Sequence, residues 1–130
     1  MSVGNGLHGR LPMRELSTFV DLERLELNNN AISGTIAPEI GLLKQLESLK
    51  LAFNTISGTI PSELGSLIRL TVLDLRATKL LSGTLPSSLG MLTNLTVLSV
   101  ADNSLTGTVP TSYSNLVSLG KFQTIAEEYF

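Results

Sequence analysis

The feature that most constrains this chain is a period of 24 residues. Leu22, Leu25, Leu27, Asn30, Ile32, Gly34, Ile36, Ile40 and Leu43 return in type as Leu46, Leu49, Leu51, Asn54, Ile56, Gly58, Ile60, Leu64 and Leu67. A third copy runs through Leu70, Leu73, Leu75, Gly83, Leu85, Leu89 and Leu92, and a fourth through Leu95, Leu98, Val100, Asn103, Leu105, Gly107, Val109 and Leu116. Upstream, Asn5, Leu7, Gly9, Leu11, Pro12 and Leu16 form the back half of a further copy, with one extra residue between Pro12 and Leu16. A repeat this short cannot bury its own apolar row, so the copies must stack into a solenoid whose stability is a sum of neighbour contacts. The chain is therefore divided as one domain over residues 1–130: a partial first coil at 1–21, full repeats at 22–45, 46–69, 70–94 and 95–118, and a degenerate last coil or cap at 119–130.

Within each copy the segment from the first to the third leucine alternates apolar and polar residues, the mark of a strand with one buried face. Gly and usually Pro then turn the chain, and a Ser- or Glu-containing stretch returns it as a short helical or 3-10 piece. Each copy so contributes one parallel strand to a sheet on one side of the coil. Two departures are visible. Thr78 stands where the other copies have Asn, and the third copy has one additional residue around Leu80 and Leu81. The extra residue predicts a bulge at which strand pairing is interrupted.

Composition removes several functional classes. Aromatics are 5% and Trp is absent, so the core must come from Leu, Ile and Val in thin regular layers. Nine Lys and Arg against eleven Asp and Glu give a net charge of -2 without runs of one sign, and no basic stripe of the kind that binds nucleic acid is present. With no cysteine there are no disulfides, thiolate metal sites or thiol nucleophiles. No apolar run approaches the roughly 18 residues that span a bilayer, so this segment inserts in no membrane. Residues 1–10 lack the basic-then-apolar profile of a signal peptide.

The pattern L-x-x-L-x-L-x-x-N-x-I-S-G-T-I-P-x-x-L-G-x-L over residues 46–67 resembles the plant-type leucine-rich repeat, and the likeness covers nearly the whole chain. Receptor-kinase ectodomains, polygalacturonase inhibitors and algal repeat proteins share it. The resemblance implies an α/β fold: a right-handed solenoid with a parallel sheet on its concave face and short helical or 3-10 segments on its convex side. It also implies a recognition scaffold in an extracellular or receptor-ectodomain setting, although the cysteine-bearing caps of secreted members are absent here.

Polar positions between the strand leucines should face solvent on the concave side, where a partner would read Arg24, Glu26 and Asn28, then Ser48, Lys50 and Ala52, then Val72, Asp74 and Arg76, then Val97, Ser99 and Ala101. Glu26, Lys50 and Asp74 fall in one column and predict a surface ladder of charge. Arg24 and Arg76 can grip a carboxylate with two parallel hydrogen bonds. Phe53, beside Asn54, is an aromatic at the rim of that face. Asn30, Asn54 and Asn103 recur at one place in the coil and are assigned a structural role, since an amide can satisfy the backbone groups exposed where a strand turns.

A second set of columns comprises Ser33 and Thr35, Ser57 and Thr59, Ser82 and Thr84, and Thr106 and Thr108, each pair flanking a glycine. They predict a lateral strand bearing two flat hydroxyl rows, and a regular Thr array resembles the face of an ice-binding solenoid. Asn94 opens the sequon Asn94-Leu95-Thr96 and is a candidate glycosylation site. His8 aligns with Ser33 and Ser57 and is read as surface polar. No metal cluster, cofactor motif or catalytic constellation is found, so the chain is expected to be no enzyme.

The expectation that follows is a non-enzymatic interaction module, free-standing or part of a larger receptor or assembly, that takes a protein or peptide in preference to a glycan. Ice binding through the Ser and Thr columns, and a purely architectural place in a multiprotein complex, are the two other classes.

Overall fold

The computed structural model describes residues 5–124. The end of the degenerate last coil or cap expected over 119–130 lies outside these residues. Among the described residues, ten strands are punctuated by five short helical turns, with two strands between successive turns: β1 (His8–Arg10), β2 (Arg24–Glu26), β3 (Ala31–Ser33), β4 (Ser48–Lys50), β5 (Ser57–Thr59), β6 (Val72–Asp74), β7 (Leu80–Thr84), β8 (Val97–Ser99), β9 (Ser104–Thr106) and β10 (Lys121–Gln123). Strands β2, β4, β6, β8 and β10 form one five-stranded parallel sheet in chain order, which is what one strand per coil requires. Its register is uniform: Glu26, Lys50, Asp74, Ser99 and Gln123 lie side by side.

Every coil returns along the opposite side through a helical turn. Four of these are 3-10 segments, at Pro38–Leu42, Ser62–Ser66, Ser87–Met91 and Thr111–Asn115. The partial first coil instead has a single α-helical turn, α1 (Met13–Leu16). The extra residue between Pro12 and Leu16 is the cause. Leu16 N–H reaches Pro12 O at 2.9 Å across four residues, whereas Ile40 N–H reaches Ala37 O at 3.0 Å across three. One inserted residue thus widens a 3-10 turn into an α turn while leaving the flanking apolar positions in place.

The core is a stack of leucine layers. Leu43, Leu46, Leu49, Leu64, Leu67, Leu70, Leu73, Leu89, Leu92, Leu95 and Leu98 are all 0% exposed, while Leu11 and Leu25 at one end retain 6%. The middle coils are sealed from both sides and the first is sealed from one, as stacking energetics require. Glycine on the convex side makes close stacking feasible: a β-carbon on Gly65 would lie 2.5 Å from Ser88 O, and one on Gly90 would lie 2.6 Å from Ser112 O. Among the described residues, no helix is long and apolar enough to cross a membrane.

The third copy corrects one expectation. Strand pairing is not interrupted at Leu80 and Leu81: β7 is the longest strand and pairs β5 on one side and β9 on the other. The additional residue is absorbed just before it, in the turn, where Ala77 (φ 52°) and Lys79 (φ 65°) both take the left-handed conformation. Elsewhere the same turn has a single left-handed residue, Asn29, Phe53 or Asp102. A turn can change shape without breaking the ladder hydrogen bonds of the strand that follows, so the insertion settles there.

Candidate functional site

In three coils an asparagine after the concave strand ties its coil to the one before. Asn54 is 3% exposed. Its amide nitrogen donates to Leu27 O at 2.9 Å in the preceding coil and to Leu51 O at 3.0 Å in its own, and its oxygen accepts the Ile32 N–H at 3.0 Å. Asn103 repeats this, donating to Leu75 O at 2.8 Å and Val100 O at 3.1 Å, and its oxygen accepts the Thr78 hydroxyl at 2.7 Å. Asn30 accepts from Leu7 N–H at 3.1 Å and donates to Leu27 O at 3.0 Å. Thr78 is 0% exposed, so in the Asn position it serves as a buried partner of Asn103.

On the concave face the structure sorts the candidate residues into two groups. In the first, Glu26 is a hub: it accepts from Ser48 Oγ at 2.8 Å, from Arg24 at 3.1 Å, and lies 3.3 Å from Lys50 Nζ. The Ser48 hydrogen bond holds its carboxyl below the ordinary carboxylate value, with Lys50 and Arg24 acting in the same direction against some desolvation. In the second, Arg76 Nε lies 3.3 Å from Asp74 Oδ1 without the alignment of a hydrogen bond, and its guanidinium sits 5.5 Å from the centre of the Phe53 ring. Burial pushes the Asp74 carboxyl upward, and the neighbouring Arg76 charge opposes it.

The expectation that all these positions face solvent needs correction. Ser48, Asp74 and Ser99 are 3%, 7% and 1% exposed, and Ala52 and Ala101 are fully buried. Strands about 4.8 Å apart let long neighbours close over short side chains, so only the longer residues reach out. Asn28 is also engaged, accepting the Ala52 N–H at 2.8 Å. The charge column is realised in part: Lys50 pairs with Glu26, whereas Asp74 pairs with Arg76. Arg24, Glu26, Lys50, Val72, Phe53 and Arg76 remain open to a partner in whole or in part.

One feature of this surface was not anticipated. Its outward positions, with Arg76 beside them, carry four cations, Arg24, Lys50, Arg76 and Lys121, against two carboxylates, Glu26 and Asp74, in a chain whose net charge is -2. Summing the strand positions by face, rather than along the chain, would have exposed this asymmetry.

The second set of columns forms the lateral sheet, with β5, β7 and β9 in one piece and β1 paired to β3 in another. Its strands are staggered. Thr35 bridges Ser57, Thr59 pairs Ser82, and Thr84 pairs Thr106, so each coil is offset by two residues and the hydroxyl rows run diagonally, with Leu80 beside Ser57. Their atoms are also engaged. Ser33, Ser57, Ser82 and Thr106 hydroxyls point to Gly9, Gly34, Gly58 and Gly83 carbonyls at 3.2 to 3.4 Å. The γ-methyls of Thr35, Thr59 and Thr84 pack at 3.0 to 3.1 Å over the space a β-carbon would fill on Gly58, Gly83 and Gly107. Thr108 is exposed.

Asn94 is exposed, with its amide donating to Ile68 O at 2.9 Å and the sequon's Thr96 hydroxyl donating to Thr71 O at 2.9 Å. His8 is exposed in β1. Among the described residues no three His, Asp or Glu side chains gather as metal ligands would.

The model of the family described as Leucine Rich Repeat matches residues 21–43, 45–67, 69–92 and 94–116. No curated protein matches the chain. Among solved structures, the ectodomain of the Arabidopsis thaliana membrane receptor kinase GASSHO1/SCHENGEN3, in complex with Casparian strip integrity factor 2, is 38% identical with a TM-score of 0.89 over 92% of this chain. The plant peptide hormone receptor RGFR1 in complex with RGF2 is 38% identical with a TM-score of 0.87 over 92%. The Arabidopsis receptor kinase HAESA ectodomain, in complex with an extended IDA peptide hormone, is 38% identical with a TM-score of 0.87 over 95%. The chain spans 14%, 19% and 20% of the length of those three chains.

Proposed function

The chain belongs to the leucine-rich-repeat family in its plant-type form, and from that premise we propose that it is a protein-interaction module whose concave sheet receives a protein or peptide partner. The observation that carries the reading is the gathering of Arg24, Lys50, Arg76 and Lys121 on one face of a net-acidic chain, with Phe53 exposed at its rim. Backbone pairing needs no such charge, because the same sheet positions are served equally well by Ser99 and Gln123. The relatives support it further: RGFR1 is a peptide hormone receptor in complex with RGF2, and the HAESA ectodomain is in complex with a peptide hormone ligand. Recognition in this fold depends on a few outward side chains over a generic frame, so the partner follows from those side chains and not from the repeat.

The test is a pull-down from extract of the source, with the chain as bait beside the Lys50→Glu, Arg76→Glu double variant. Both positions are partly open to solvent, so the variant should keep the fold, as circular dichroism would report. A partner held by the parent and lost by the variant is the expected result. Equal capture by both would remove the concave face from the function and favour docking through the convex side or the ends.

A further inference from the structure

Each coil places one residue in the left-handed region just before the asparagine position: Asn29 at φ 59°, Phe53 at 58°, Ala77 at 52° and Asp102 at 56°. Asn and Asp tolerate this conformation because their short polar side chains bond locally, and a bulky aromatic is the outlier. Phe53 does not offset that strain by burial, for 48% of it is exposed. An exposed, conformationally strained aromatic is the kind of outlier from which a functional constraint is inferred.

Its surroundings describe what it would meet. Arg76 lies over one face of the ring at 5.5 Å and is itself fixed beside Asp74 at 3.3 Å. Phe53 also lines a shallow groove with Asn30, Ala31, Thr55, Ala77 and Lys79. The groove wall is therefore apolar at Phe53, Ala31 and Ala77 and cationic at Lys79, with Arg76 on the concave side of the ring. Asp74, the carboxylate nearest to Arg76, is 7% exposed and carries little negative charge to the surface.

We propose that Phe53 is the anchor of the concave site, seating an apolar side chain of an acidic peptide segment whose flanking carboxylates lie against Arg76 and Lys79. This rests on the concave-face reading and adds the chemistry of the ligand to it. The aromatic supplies contact area at low side-chain entropy cost, and the two cations select acidic neighbours.

The experiment uses an array of synthetic peptides of about 12 residues, long enough to cross three strands at roughly 4.8 Å spacing. Each peptide has Asp and Glu around one central Leu, Phe or Ala, with matched versions in which Lys replaces the acidic residues. Parent protein, Phe53→Tyr, Phe53→Asn and the Lys50→Glu, Arg76→Glu double variant are compared by fluorescence anisotropy, and each is melted. The expected pattern is binding of acidic Leu and Phe peptides by the parent and by Phe53→Tyr. Affinity should fall at least tenfold in Phe53→Asn, while its melting temperature equals or exceeds the parent's. Retained binding by Phe53→Asn would overturn the anchor while leaving the concave face in place, and retained binding by the double variant would overturn the face itself. Preference for the Lys peptides, or no peptide bound by the parent, would overturn the acidic ligand. A lowered melting temperature in Phe53→Asn would assign Phe53 a structural role instead.

Discussion

The γ-methyl of Thr59 lies 3.0 Å from the point where a β-carbon on Gly83 would stand, so a side chain of one coil occupies the volume that the next coil's glycine leaves empty. Gly83 is also at φ 80°, where L residues are strained. Gly83→Ala combines that conformational cost with overpacking and should destabilise by about 2 to 4 kcal/mol. Gly65→Ala should cost more despite its ordinary φ, because its new methyl would meet backbone, Ser88 O at 2.5 Å, which cannot rotate away. Denaturant unfolding of the two variants checks the order, and a milder Gly65→Ala would mean that the convex turns slide apart easily.

Asn54 ties Leu27, Leu51 and Ile32 together from a buried position. Asn54→Leu leaves those backbone groups without partners, a loss of about 1 to 3 kcal/mol or more where several groups are orphaned. Asn30, half-buried at the end of the stack, should cost less when changed to Leu. Equal losses at the two positions, measured by urea unfolding, would contradict the dependence on burial.

Asp74 and Glu26 share a column, and their surroundings shift the two carboxyls in opposite directions. Burial raises the Asp74 carboxyl, so the folded chain holds that proton to higher pH than the unfolded chain does. Its contribution to stability is full below the ordinary carboxylate pKa and is lost as pH rises through the elevated value. Asp74→Asn should therefore gain in melting temperature relative to the parent as pH rises above the ordinary carboxylate value. Glu26 is lowered, so its contribution is present above the ordinary value and lost as pH falls. Glu26 is exposed and its effect correspondingly small. A parent and Asp74→Asn that shift in parallel across this range would show that Asp74 is well solvated.

Tyr113 closes the last full repeat, donating its hydroxyl to Pro86 O at 2.9 Å and packing against Phe122 with ring centres 5.9 Å apart. Burial raises its phenol well above the ordinary tyrosine value. Tyr113→Phe should cost about 1 kcal/mol by removing that hydrogen bond. In a spectrophotometric titration the parent should ionise one tyrosine more at ordinary alkaline pH than the variant only after the coil unfolds. Early ionisation in the folded parent would place Tyr113 in water.

The repeat was legible because its cause is local and periodic. Leu25, Leu49, Leu73 and Leu98 had to face one core, and no other stacking of such copies buries them. The asparagine row followed from the same logic, as did the lateral strand. What the sequence could not settle depends on distances between coils. The third-copy insertion moved into a turn at Ala77 and Lys79, because a flexible turn yields before a paired strand does. The serine and threonine columns, aligned on paper, became diagonal because each lateral strand shifts by two residues against its neighbour. Ser48, Asp74 and Ser99 sank between longer side chains, and Phe53 rose at the rim in a backbone conformation it disfavours. The sequence by itself determined a leucine-layered solenoid with one parallel strand per coil, since periodicity alone dictates which residues must be buried together. Only the tertiary structure decided which of the outward residues reach a partner, since that depends on inter-coil register and on the height of neighbouring side chains, neither of which is written in a single repeat.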